Sequence, residues 1–255
     1  MFLALREIRY NKARYTLIGA IIFLIAYVVF ILSGLSVGLA SQFKQAVLDW
    51  KAEKVVNLWS RNNIISASQI TTDDLSNIHV ENGSELSLFS TSMRKSKSER
   101  DNIAIIALPD KSKIMPEVLE GKKFTDTHLE MIISKKLANQ GYKIGQEVSV
   151  GNNNIKIKIV GISKSSSYSA SPVIYTSFSA LNQIKFGEKS TSTSSVNAVV
   201  VKSGKVKIDS SISNQYKVIS ISDLINDIPG YSAQNMTLSA MIYFLFLIVL
   251  LIIGV

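Results

Sequence analysis

Few residues in this chain are arranged for chemistry. The two histidines, His79 and His128, stand far apart with no metal-ligand spacing around them. Cysteine is absent, which excludes disulfides and thiolate metal sites. The carboxylate pair Asp73-Asp74 follows Thr71-Thr72 at what reads as a helix start, where two negative charges stabilise the helix dipole. There is no G-x-x-x-x-G-K-[ST] or H-E-x-x-H, so a phosphate-cradling loop and a zinc-protease helix are both missing. Serines are many but have no partner base. What remains is aromatic and thioether. Tyr168 sits in "SKSSSYSASP", read as an exposed aromatic in a Ser-rich loop between two strands, and Tyr231 directly follows Pro229-Gly230. Met236 and Met241 lie in the apolar run after it. The plain readings are loop packing for Tyr168, an interfacial anchor for Tyr231, and lipid or helix packing for the methionines. No catalysis is expected within this chain.

Two apolar stretches set the frame for these residues. From Tyr15 to Ala40 no charge occurs, and from Met236 to Val255 there is neither charge nor proline. Each supplies the ~20 residues that, at ~1.5 Å rise, cross a ~30 Å hydrocarbon core. The first run exceeds the ~7–15 apolar residues of a signal peptide, and no cysteine follows to carry a lipid, so it reads as a retained span. Gly34 and Gly38 near its end form a G-x-x-x-G, which lets another helix approach closely. Arg6, Arg9, Lys12 and Arg14 against the single Glu7 place the N-terminus in the cytoplasm by the positive-inside rule. The expected order is a cytoplasmic amphipathic helix over 1–14, a span over 15–40, an external domain over 41–235 and a second span over 236–255. The external block holds 24 of the 28 basic and 18 of the 19 acidic residues, spread out and with no nucleic-acid motif, so no nucleic-acid partner is expected.

Within the block the patterns alternate between strand and helix. "VVNLWS", "ELSLFSTSM", "NIAIIAL", "VIYTS", "NAVVVK" and "YKVISI" read as strands. "EVSVG" and "IKIKIVGI" read as a hairpin joined through "GNNN". "TTDDLSNI", capped by Thr71 or Thr72, "FSALNQIK", and "SDLINDI", capped by Ser222, read as short helices, and "EKSTSTSS" as a polar loop.

Residues 120–163 read "EGKKFTDTHLEMIISKKLANQGYKIGQEVSVGNNNIKIKIVGIS". A turn at Gly121 precedes an edge segment, "LEMIIS"; the short helix "KKLANQG" stops at Gly141, and the hairpin follows. This order resembles the extracytoplasmic domain of MacB/FtsX-type ABC transporter permeases. The matching residues are Gly121, Phe124, Ile132, Ser134, Ala138, Gly145, Val148, Val150, Ile159, Val160 and Gly161, with Lys122 where the pattern has arginine.

The resemblance implies an α+β fold, with transmembrane helices flanking a mixed α/β MacB-type periplasmic core domain. It implies a permease subunit in a bacterial plasma membrane, working as a homodimer with a separate ATPase subunit that binds the ATP, and without an intrinsic cofactor. The family's usual plan has four spans, so it also implies that the chain is truncated at Val255. The short N-terminus and modest domain are most similar to the Gram-positive haem-efflux branch, the HrtB type. Its expected cargo is haem or a similar hydrophobic amphiphile entering from the lipid. Other members move peptides, macrolides or lipoproteins, or, like FtsX, regulate a cell-wall hydrolase. Haem iron accepts His, Cys, Met or Tyr. Under this resemblance Tyr168 and Tyr231 are the candidate haem contacts, with Met236, Met241, Tyr27 and Tyr243 behind them.

Overall fold

The computed structural model describes residues 10–59, 63–95, 99–188 and 195–254. The amphipathic helix expected over 1–14 and the loop "EKSTSTSS" fall mostly outside these. The chain divides into two units, Met1–Ala40 with Ala233–Val255, and Ser41–Ser232.

The first unit consists of apolar helix. Helix α1 spans Lys12–Asp49, of which the part up to Ala40 belongs here; the last helix, α6, spans Tyr231–Gly254. Both are long and apolar enough to cross a membrane. Their large side chains stand outward: Phe23 is 73% exposed and Phe30 78% on one helix, Phe244 64% and Leu250 70% on the other. A helix that turns apolar groups outward all round is matched to lipid, not to water. A Cβ at Gly34 or Gly38 would meet no heavy atom within 4 Å.

The second unit carries the strands. They are β1 (Lys54–Leu58), β2 (Ile78–Val80), β3 (Gly83–Arg94), β4 (Arg100–Ala107), β5 (Val118–Gly121) and β6 (Glu130–Ser134). Then follow β7 (Glu147–Val150), β8 (Ile155–Ser163), β9 (Ser167–Tyr168), β10 (Ser171–Thr176), β11 (Ala198–Val201), β12 (Val206–Ile208) and β13 (Tyr216–Ser220). The short helices are α2 (Thr72–Ser76), α3 (Lys135–Asn139), α4 (Phe178–Phe186) and α5 (Ile221–Asn226). The main sheet runs β13-β1-β11-β3-β4-β10-β6-β8-β5.

Strand β7 pairs with both β8 and the far end of β3, so β3-β4-β10-β6-β8-β7 returns to its start. Closing the path removes free edges and encloses a core. That core holds Met93, Ile103, Ile105, Met131, Ile133, Ile157, Ile159 and Ile174, sealed by Leu181 and Ile184 of α4. The sequence of β8 shows how. Ile155, Ile157 and Ile159 point in while Lys156 and Lys158 point out; from Ile159 onward every residue is buried, where β5 and β6 flank the strand. The length of β3 lets it serve twice. Gly83–Leu86 pair with β11 in an antiparallel lobe with its own core around Val56, Ile70, Val199 and Tyr216, and Met93 and Arg94 pair with β7.

Two local expectations need correction. "LEMIIS" is no edge: β6 is buried at all five residues, between β10 and β8. Its unbroken apolar run is that of a strand covered on both faces. The last short helix is capped by Ser220, whose hydroxyl accepts from the Asp223 N–H at 3.1 Å; Ser222 lies inside the helix.

Candidate functional site

The second unit begins at Ser41 in the last turns of α1 and ends at Ser232 in the first turn of α6. The residues next to these two crossings assemble around one ring, Phe43. Gly230 has φ +85°, and a Cβ there would lie 3.0 Å from the Phe43 ring, so glycine is what lets the chain pass this close. Tyr231 follows. It is 8% exposed, its ring centroid lies 6.4 Å from that of Phe43, and its hydroxyl oxygen accepts from Lys44 Nζ at 3.3 Å. The same ammonium stands 5.4 Å from the centre of the Tyr231 ring, a cation–π distance.

The hairpin β9–β10 closes the cluster. Ser169 and Ala170, at φ 47° and 65°, form its two-residue turn, both in the left-handed region that hairpins favour and non-glycine residues resist. Hydrogen bonds hold them there. The Ser169 N–H donates to Phe43 O and the Ala170 N–H to Gln42 O, each at 3.1 Å, and the Ser169 hydroxyl donates to Pro229 O at 3.1 Å. Lys136 Nζ donates to Gln42 Oε1 at 3.2 Å. One turn therefore ties the start of the unit to its end.

Tyr168 lies in this hairpin, but not as an exposed aromatic. It is 4% exposed, in a two-residue strand paired to Ser171, and burial pushes its phenol above the usual range. The Ser-rich composition around it suggested a solvated loop; the short strand was invisible because its partner residues are themselves serine and proline. The structure thus places Tyr168 in the hairpin whose turn binds Phe43 and Pro229, and Tyr231 beside Phe43; both tyrosines are buried. Met236 and Tyr243 are 76% and 74% exposed on α6, and Tyr27 is 57% exposed on α1, all in the other unit. Sequence reasoning missed Phe43 and Lys44. Both sit in the first turn after Ala40, where the charge-free run ends, and nothing local sets them apart. No cluster of three or more metal-ligating side chains occurs among the described residues.

Comparisons with known proteins agree with the resemblance read from residues 120–163. No family model matches the chain. It is 28% identical over 251 residues to a protein of Staphylococcus haemolyticus described as "Putative hemin transport system permease protein HrtB", covering 97% of this chain and 68% of that one. A Staphylococcus epidermidis protein of the same description is 27% identical over 257 residues, with the same coverage. Among solved structures, the extracellular domain of the ABC-type transporter YknZ from Gram-positive bacteria aligns over 66% of this chain and 98% of its own, at 16% identity and a TM-score of 0.44. The periplasmic region of MacB from Actinobacillus actinomycetemcomitans aligns over 70% and 93%, at 10% identity and 0.46. Across nearly its whole length, then, this chain is similar in sequence to proteins described as hemin transport permeases of the HrtB type.

Proposed function

We propose that this chain is a permease subunit of an ATP-driven ABC exporter and that its cargo is haem or a closely similar hydrophobic amphiphile. The observation that carries the reading is the identity spread over 97% of the chain to proteins described as hemin transport permeases. Two apolar helices and the domain between them fit a membrane protein of this kind. In this reading the basic N-terminal flank faces the cytoplasm, the Ser41–Ser232 unit lies outside, and a separate ATPase subunit hydrolyses ATP for a permease homodimer embedded in lipid.

Tyr231 is the foremost candidate contact for haem. Its oxygen already accepts from Lys44 but keeps a second lone pair, and an ammonium beside a phenol oxygen also suits a haem propionate. Tyr168, being buried, serves as the inner wall of the cluster in this proposal and meets haem only if the hairpin opens.

Titrating haemin into the purified full chain and following the Soret band tests the proposal. We expect a saturable shifted band, about tenfold weaker in Tyr231→Phe, as for loss of one polar contact to a charged group. Tyr168→Phe, which keeps the packing, is expected to change it little. No band beyond a detergent blank would remove haem from the proposal.

A further inference from the structure

A second feature of the Ser41–Ser232 unit has no part in the tyrosine cluster. Where α1 ends, a cavity of about 160 Å³ opens between the helix end, the loop before β5 and the end of β8. One water needs about 10–15 Å³ of such space, so a small oxyanion and several waters fit.

Its rim is basic. Lys51, Lys113, Lys164 and Lys202 surround it against two carboxylates, Asp49 and Glu117. Lys164 is already matched to Glu117, whose carboxyl it holds below the usual range by hydrogen bond and charge. Lys113 Nζ turns to Asn82 Oδ1 at 2.7 Å, and Asp49 accepts from Gln45 Nε2 at 2.9 Å. Neither Lys51 nor Lys202 forms an ion pair within 4.0 Å among the described residues, though the charge of Lys51 also acts on Glu117.

The floor is buried and polar. Trp50 is 1% exposed, and its indole Nε1 has no acceptor among the described residues. Ser166, 2% exposed, sits beside the fully buried Tyr175. Both the indole nitrogen and the Ser166 hydroxyl are closed off from water, so the floor packs beneath the cavity and the rim supplies the charge. The backbone adds a sign. Lys51, at φ 49°, closes α1 in the left-handed conformation that glycine normally takes at this position. A glycine would relieve the strain but remove a rim ammonium.

We propose that this cavity is an anion site of the domain, taking a phosphate or a similar oxyanion group between Lys51 and Lys202 over the Trp50 floor. Two sources share that chemistry, free phosphate and the headgroup of an anionic lipid. The site is separate from the tyrosine cluster, and its test needs no transport.

Trp50 is its own reporter. The chain has two tryptophans, and Trp59, 64% exposed, is removed by Trp59→Phe. The full chain would be held in phosphatidylcholine nanodiscs and titrated with inorganic phosphate at constant ionic strength, with chloride as the reference ion. We expect a saturable change in Trp50 emission whose midpoint moves at least about tenfold in Lys51→Gln/Lys202→Gln, given the usual strength of hydrogen bonds to charged groups. The same change without added phosphate in phosphatidylglycerol nanodiscs would support the site with lipid as the source. The proposal is overturned if phosphate and phosphatidylglycerol leave the emission as chloride and phosphatidylcholine do. It is equally overturned if a double variant with unchanged circular dichroism and melting temperature responds as its parent does.

Discussion

Gly161→Ala is expected to destabilise the Ser41–Ser232 unit by about 3 kcal/mol, and Gly121→Ala by about as much, since each adds overpacking of ~1–3 kcal/mol and Gly121 adds left-handed strain of ~1–2 kcal/mol. The two glycines face each other where β5 crosses the end of β8, and the β5–β8 ladder pairs them directly. A Cβ at Gly161 would stand 2.5 Å from the carbonyl oxygen of Lys122 and 3.2 Å from Val118. One at Gly121, where φ is +82°, would stand 2.2 Å from the carbonyl oxygen of Val160 and 3.0 Å from Gly161 Cα. Most of these obstacles are backbone, so no rotamer change relieves them. Gly145 is the control: its φ is +87°, but a Cβ there would meet nothing within 4 Å. Gly145→Ala should therefore cost only the conformational strain, ~1–2 kcal/mol. For a unit of this size ~3 kcal/mol lowers the melting temperature by roughly 6–12 °C. Thermal unfolding of the purified variants reads the difference. Equal melting temperatures for Gly161→Ala and Gly145→Ala would contradict the close-approach account.

Lys122→Met is expected to cost about 2 kcal/mol at pH 7, the scale of a hydrogen bond to a charged group. Glu130 lies in the central strand β6 and is 8% exposed. Its carboxylate accepts from Lys122 Nζ at 2.9 Å and from the Thr125 N–H at 3.3 Å. Burial alone would raise this carboxyl, but the Lys122 hydrogen bond and charge, with Thr125, outweigh it and hold the pKa below the usual range. A depressed folded pKa gives stability that is present above the unfolded pKa and lost as pH falls through the folded one. The deficit of Lys122→Met should thus be full at pH 7 and shrink as pH falls, once Glu130 protonates in the folded variant, where the lowering ammonium is gone, and then in the parent. Lys122→Arg should keep most of the stability, since guanidinium also donates to carboxylate. Denaturant midpoints at pH 7 and at about pH 3.5 measure this, and a deficit independent of pH would refute the role given to Glu130.

These two cases show what the sequence discloses and where it stops. Gly121 read as a turn on its own, while Lys122 and Gly161 stood out only through the resemblance to the permease pattern, and the close approach of the two glycines was not legible. The alternation in β8, the "GNNN" hairpin and a threonine cap were local and legible for that reason, though the sequence left Thr71 and Thr72 open and the structure takes Thr71. Long-range pairing was not. The closure of β7 onto β3 joins segments some fifty residues apart, and the pairing of β2 with β12 spans more than a hundred, with no periodic signal in either three-residue strand. Burial of Tyr168 depends on a turn held by carbonyls of Gln42 and Phe43, far away in sequence. Tyr231 could be found because Pro229-Gly230 marks the break before it; Lys44, its partner, reads alone as one more surface lysine.

Growth under haemin tests the proposed export of haem in cells. The gene would be deleted in its native host, and cells with and without a complementing copy would be challenged with graded haemin while cell-associated haem is measured. We expect the deletion strain to stop growing at a several-fold lower haemin concentration, to retain more haem, and to recover with the wild-type gene but only partly with Tyr231→Phe. Equal sensitivity and equal haem content with and without the gene would contradict it.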